Sequence, residues 1–350
     1  MARTSQTRDI IVVGGSAGAL DALRSILAGL PPDLPAAVLV VLHVGEVSYL
    51  PSILDRSSTL PVVPASSGMT IEPGKVYVGP PDFHLLVHDS HILLRRGPRE
   101  NLARPAVDAL FRSAAASLGS RVIGIVLSGS LSDGTAGLRA IKRCGGLSIV
   151  QSPQEAPVPS MPRNALWHTD VDHVCATADM AGLLSRLVRG PAGPSPEVPT
   201  EIRLEAAIAA QDLADMRADD VLGKVSRFTC PECHGTLWSI QDGSMLRFRC
   251  HVGHAFTADT VLSAQGEEID RMLGTLQRSH QERAALARRM AERERASGRH
   301  ALADHLERRA RGYEEDARLV LELMRNGFPG AAEDDNHKQE SVIGHAEVET

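Results

Sequence analysis

Between residues 9 and 188, short runs that are apolar on both faces alternate with stretches whose apolar positions recur at helical spacing. Residues 10–14 (IIVVG), 37–43 (AVLVVLH) and 121–129 (RVIGIVLSG) are rich in Val, Ile and Leu, as strands buried between two helix layers are. This alternation predicts an α/β domain with a doubly wound, mostly parallel sheet. Segments 19–29, 105–118 and 134–143 are the intervening helix candidates. Pro105 suits a first helical turn, and Gly145 and Gly146 suit a stop. Residues 83–94 hold two apolar runs around Asp89 and Ser90, which reads as a hairpin appended to the sheet. His84, His88 and His91 then fall on the hairpin surface.

The pattern breaks at RGPAGPSPEVPT, residues 189–200, a Pro/Gly/Ser-dense stretch with nothing to bury. A short helix-like piece (201–216), a cysteine segment (228–256) and a Glu/Arg/Ala-rich stretch (259–324) follow. In that last stretch Met272, Leu276, Leu286, Met290, Leu302, Leu306, Leu319 and Leu323 fit two helices meeting near Ser297 and Gly298. The expected organisation is a catalytic-type α/β domain (8–189), a linker (190–203), a small metal-binding ribbon module (204–262), a helical hairpin (263–327) and a disordered tail (328–350).

Composition narrows the function classes. Aromatic residues are only 3% and the formal net charge is −6, so base stacking and a whole-chain phosphate-binding field are not expected, and nucleic acid is set aside. No apolar run approaches a membrane-spanning length, so no membrane insertion is expected and the chain reads as cytoplasmic. The five cysteines agree with a reducing compartment. Cys144 and Cys175 stand apart as small buried residues, whereas Cys230, Cys233 and Cys250 crowd one segment.

That segment pairs a CxxC, Cys230 and Cys233, with Cys250 and His254, a Cys3His set of tetrahedral zinc spacing, with His251 as the alternative fourth ligand. Structural zinc is the expected cofactor, and none is expected for catalysis.

The sharpest catalytic signal is Gly14-Gly15-Ser16-Ala17-Gly18, a G-x-S-x-G between a buried strand and a helix. A dinucleotide fingerprint fails, because Val13 stands where the first glycine belongs, and no Walker lysine follows. A serine hydroxyl needs a base and an acid that orients it. His43 ends the second strand, and Asp133 lies between the strand of 121–129 and the helix of 134–143. The α/β-hydrolase order would instead recruit His168 or His173, which lie in LWHTDVDHV. Asp133 alone is equally readable as a helix cap, and the serine as a structural turn.

Ser16 in GGSAG, His43 in VLHV, RPAVDALFRSAA (104–115) and LSGSLSDGTAGL (127–138) together resemble the catalytic domain of CheB, the chemoreceptor protein-glutamate methylesterase. The resemblance covers residues 9 to 188. It implies hydrolysis of glutamyl methyl esters on methyl-accepting chemoreceptor cytoplasmic domains, and in many members deamidation of glutamine, with Ser16 as nucleophile, His43 as base and Asp133 as its partner. Backbone N–H groups of Ala17 and Ser130 are the expected oxyanion hole. Ser130 and Leu131 depart from the family's Met and Gly at these positions. With eight residues before Asp9, no receiver domain is expected ahead of the catalytic part, nor activation by phosphorylation in cis. The rival readings are a catalytically weak signalling scaffold and a general small-ester hydrolase. The C-terminal helices are candidates for self-association.

Overall fold

The computed structural model describes residues 7–43, 49–211 and 223–326; the expectations for residues 212–216 and for the tail 328–350 lie outside them. The chain divides after Leu262 into two compact units.

The first unit is built on a seven-stranded sheet. Its strands are β1 (Ile10–Gly15), β2 (Ala37–Leu42), β3 (Val62–Pro64), β4 (Val76–Val78), β7 (Val122–Val126), β8 (Leu147–Gln151) and β9 (His173–Cys175). Their order is β3-β4-β2-β1-β7-β8-β9, and every pairing is parallel. Alternate residues of β1 face two separate cores. Ile11 and Val13 pack with α1 (Ala19–Gly29), α2 (Leu50–Asp55) and α6 (Thr177–Leu187). Ile10 and Val12 pack with α3 (Val107–Leu118), α4 (Thr135–Arg143) and α5 (Ser160–His168). Burial on both faces is why the strands are apolar at every position.

Several local expectations change. The hairpin of β5 (His84–His88) and β6 (His91–Arg95) forms its own two-stranded sheet packed on α3 and does not join the main one. His88 and His91 are exposed, but His84 is fully buried, with Nε2 2.8 Å from Pro98 O and Nδ1 accepting the Ala106 N–H. Burial holds its pKa below the ordinary histidine value. Helix α3 starts at Val107, two residues past Pro105. The Pro/Gly stretch is laid along the domain: Ser120 Oγ donates to Gly193 O at 2.6 Å, and Ser120 N–H donates to Ser195 Oγ at 3.0 Å. Helix α7 (Thr200–Ala210) follows and packs on α3.

A four-stranded antiparallel ribbon completes this unit: β10 (Lys224–Thr229), β11 (Thr236–Asp242), β12 (Met245–Cys250) and β13 (Ala255–Thr257). Its edge strand β13 docks on the loop before α3. Asn101 N–H donates to Ala255 O at 2.8 Å, and Ala255 N–H donates to Arg99 O at 3.2 Å.

Helix α8 (Ala258–Ala296) leads into the second unit, where it and α9 (His300–Asn326) meet through a turn at Ser297 and Gly298. Alanines form most of the buried positions here: Ala284, Ala287, Ala291, Ala303, Ala310 and Ala317, with Val320. Of the eight leucines and methionines whose spacing predicts the helices, only Leu306 is buried; the other seven face outward.

Candidate active site and metal centre

Ser16, His43 and Asp133 follow β1, β2 and β7, three neighbouring strands with β1 in the middle. In an open parallel sheet, residues just past the carboxyl ends of such strands line one crevice. Ser16 sits in the turn before α1, its N–H donating to Ser128 O at 2.9 Å. The turn closes through Gly18, whose φ of 77° opens the helix. A Cβ there would stand 2.8 Å from Pro157 Cβ and 2.9 Å from Ser128 Oγ, so conformation and space both demand glycine. Across the crevice, a Cβ on Gly129 would stand 2.9 Å from Ser16 Cβ and 2.0 Å from Met161 Sδ. The missing side chain at 129 is what lets the β7–α4 loop lie against the serine.

His43 N–H donates to Gly15 O at 3.2 Å, which ties this histidine to the strand that leads to the serine. Its imidazole Nε2 lies 2.8 Å from Asp133 Oδ2. Nδ1 is therefore the ring nitrogen that the carboxylate does not engage. No hydrogen bond joins Ser16 Oγ to His43 in this structure; the two residues follow the neighbouring strands β1 and β2.

Asp133 is 2% exposed and receives five donors. His43 Nε2 and Val107 N–H reach Oδ2, while Asp108 N–H, Gly134 N–H and Asn101 Nδ2 reach Oδ1. Two of these are first-turn amides of α3, which lacks a side-chain cap of its own. The carboxylate thus caps α3 across space and gains from the positive end of its dipole. Burial alone would raise its pKa. The bond to His43, the imidazole's charge and the Val107 and Asp108 amides outweigh burial and hold the carboxyl below the ordinary range. Asp108, buried beside it, goes the other way. Burial first, then the charge of Asp133, push it up to about 7, with Arg112 opposing.

The alternative bases do not reach the acid. His168 ends α5 with Nδ1 3.3 Å from Ser244 Oγ, and His173 begins the edge strand β9; neither bonds to Asp133. Ala17 and Ser130, the expected oxyanion donors, are both exposed beside the crevice, and neither N–H donates to a described residue. Leu131 carries a φ of 61°, a left-handed conformation that glycine adopts freely and leucine does not. A cleft of about 340 Å³ adjoins His43, lined by Arg99, Asn101, Leu102, Arg104 and Pro105.

Comparison with known proteins bears on this arrangement. The CheB methylesterase family model matches residues 11–184. A Leptospira interrogans protein named for protein-glutamate methylesterase/protein-glutamine glutaminase activity is 37% identical over 182 residues, 51% of this chain and 94% of that one. The chain belongs to the CheB methylesterase family. A Methanosarcina acetivorans protein-glutamate methylesterase/protein-glutamine glutaminase is 36% identical over 191 residues, which make up 52% of this chain and 54% of that protein. The crystal structure of the Thermotoga maritima CheB methylesterase catalytic domain is matched over its whole length and 53% of this chain, with a TM-score of 0.50 and 32% identity.

The ribbon lies beyond the matched CheB segment. Cys230, Cys233, Cys250 and His254 place their ligand atoms within 4.8 Å of one another. Cys233 Sγ is 3.6 Å from Cys250 Sγ, and His254 Nδ1 is 3.5 Å from Cys250 Sγ and 3.7 Å from Cys230 Sγ. A tetrahedron with metal–sulfur bonds of about 2.3 Å has edges of about 3.8 Å, so the set fits zinc. His251, the alternative ligand, is exposed against Trp238, outside the group.

Between ribbon and CheB domain lies a buried ion cluster that the pattern reading missed. Arg112 of α3 reaches Glu100 at 2.5 Å and Glu205 of α7 at 3.4 Å. Glu205 also takes Arg247 at 2.5 Å and Arg249 at 2.7 Å, both from β12. A signal was present: Asp108 and Arg112, four residues apart, interrupt the otherwise small and apolar stretch of α3, all of it buried up to Ala115. A charge on a face that periodicity assigns to the core needs a buried partner.

Proposed function

We propose that this CheB-family chain is a serine esterase that hydrolyses glutamyl methyl esters on a chemoreceptor-like protein, with Ser16, His43 and Asp133 as its triad. The observation that carries the reading is the 2.8 Å bond from His43 to a buried, fully hydrogen-bonded Asp133, at the edge where Ser16 also emerges. Ser16 Oγ attacks the γ-carbonyl carbon as His43 Nδ1 takes its proton. The tetrahedral oxyanion faces the free N–H groups at Ala17 and Ser130. Collapse expels methoxide, which leaves as methanol with the proton from His43. Water activated by His43 then cleaves the seryl ester, giving glutamate and free Ser16. With a glutamine side chain the leaving group is ammonia, the deamidation that the relatives' names carry. Asp133 stays ionised throughout and stabilises the imidazolium.

Zinc held by Cys230, Cys233, Cys250 and His254 would cross-link the ribbon and take no part in the ester chemistry. The outward leucines and methionines of the α8–α9 hairpin are the surface suited to self-association. Among the described residues no helix is long and apolar enough to cross a membrane. The unpaired cysteines suit action in the cytoplasm.

The test is methanol release from a methylated receptor cytoplasmic fragment by wild type, Ser16→Ala, His43→Ala and His168→Ala. Ser16→Ala and His43→Ala should each fall by roughly 10⁴-fold or more, as triad deletions do. His168→Ala should stay near wild type. Equal loss in His168→Ala, or activity retained in Ser16→Ala, would overturn the assignment.

A further inference from the structure

Asn101 touches both the acid of the active site and the edge of the ribbon. Its backbone is left-handed, with φ 50°, and its amide is buried. The Nδ2 group donates to Asp133 Oδ1 at 3.1 Å and to Asp108 Oδ2 at 2.9 Å. The Oδ1 atom accepts Thr257 N–H at 3.1 Å and lies 3.4 Å from Thr260 Oγ1, a hydroxyl donor. Its own N–H donates to Ala255 O at 2.8 Å. An amide can offer two protons and accept two, and here each is used.

The two sides of this amide have different origins. One side separates two buried carboxyls that would repel each other if both were ionised. The other side is held by β13, which begins one residue after the metal ligand His254 and pairs with the strand ending in Cys250. A second tie runs in parallel, with Ser132 Oγ, beside Asp133, 2.6 Å from Thr257 Oγ1. The ribbon therefore reaches the triad's acid through hydrogen bonds alone, within one compact unit.

We propose that Asn101 is a positioning residue for Asp133, and that metal binding at Cys230, Cys233, Cys250 and His254 sets the activity of the triad by fixing β13 and so the Asn101 amide. The inference rests on the reading of Asp133 as the acid that orients His43. With β13 held, Asn101 presents its Nδ2 protons to the carboxylates and keeps Asp133 aimed at His43 Nε2. With β13 released, the amide loses the partners that fix which way it points. Asp133 then faces Asp108 without a donor between them.

The experiment uses the full chain in four states: wild type and Asn101→Ala, each zinc-loaded and zinc-stripped by a chelator. Metal content, circular dichroism, steady-state methanol release and the downfield Nε2–H proton resonance of His43 are measured on each. Zinc-loaded Asn101→Ala should lose kcat by roughly ten- to hundred-fold, the range for one hydrogen bond to a charged group, with KM within about twofold. Stripping zinc from wild type should lower kcat by a similar factor and shift the His43 resonance, and zinc alone should restore both. Stripping Asn101→Ala should then lower kcat by far less than stripping wild type does, since only the Ser132–Thr257 tie is left to cut. Asn101→Asp, which swaps the donor for a third carboxylate, should fall below Asn101→Ala. Thr257→Val keeps the N–H that Asn101 uses and should stay within about threefold of wild type.

Folded, zinc-free wild type with full kcat and an unshifted His43 resonance overturns the proposal. So do losses that multiply when both perturbations are combined. If Asn101→Ala does not fold, the zinc-stripped wild type decides the matter by the same criterion. Failure of the triad itself would show separately, as Ser16→Ala retaining activity.

Discussion

Glu205→Gln probes whether the ribbon, α7 and the CheB domain share one energetic core. The substitution keeps the shape of the side chain and removes one charge from the buried cluster. In the wild type that carboxylate holds Arg247 at 2.5 Å and Arg249 at 2.7 Å, with Arg112 at 3.4 Å. Without it, three guanidinium groups share Glu100 and the more distant Asp242, which lies 3.6 Å from Arg247. Breaking a buried pair in this way costs about 3–5 kcal/mol, because the remaining charges stay desolvated. In a unit of this size 1 kcal/mol moves Tm by about 2–4 °C, so the melt should fall by roughly 6–20 °C.

Acid adds a sign test. Burial would raise the pKa of Glu205, but the charges of Arg247, Arg112 and Arg249 hold it well below the ordinary 4.5. A lowered carboxylate pKa contributes stability that is fully present above the unfolded-state value and lost as pH falls toward the folded-state value. Urea melts followed by circular dichroism at pH 7.5 should show the full gap between wild type and Glu205→Gln, and that gap should narrow below about pH 4.5. A gap under about 1 kcal/mol at pH 7.5, or one that widens in acid, would refute the account of Glu205 as the hub of the cluster.

Other consequences are as direct. Gly129→Ala drives a Cβ into Met161 and Ser16, so it should destabilise by about 1–3 kcal/mol and lower methanol release more than tenfold, read by melts and kinetics on one preparation. Leu131→Gly relieves a left-handed leucine at φ 61° and should raise stability by up to about 1 kcal/mol; a lower Tm would contradict the strain. Burial pushes the Cys144 thiol up to about 11 and raises Cys175 as well, so both should react slowly with an aromatic disulfide reagent at pH 8. Chelation should release Cys230, Cys233 and Cys250 as new fast-reacting thiols, and a reactive-thiol count unchanged by chelation would argue against metal binding there.

Much of this protein is local in origin and so was legible in the chain. Val, Ile and Leu on both faces of residues 10–14 and 37–43 require burial on two sides, which only a sheet between helix layers supplies. Ser16, His43, Asp133 and the Cys/His spacing mark themselves by chemistry and by their address at strand ends or knuckles. His84 misled because hairpin periodicity cannot show which face a third element covers. The leucines and methionines of the last two helices misled because small alanines, with Leu306 and Val320, take the buried positions instead.

Tertiary structure decided the rest, because it depends on which distant groups share a volume. Nothing within ten residues of Asp133 reveals that Asn101 and the first turn of α3 complete its five donors, or that His43 and not His168 is the histidine it holds. Glu100, Arg112, Glu205, Arg247 and Arg249 come from four separate segments, and apart from Arg112 each alone reads as a surface charge. Periodicity reports burial one element at a time. A buried charge is stable only beside its counter-charge, and that pairing exists only once α3, α7 and the ribbon have packed.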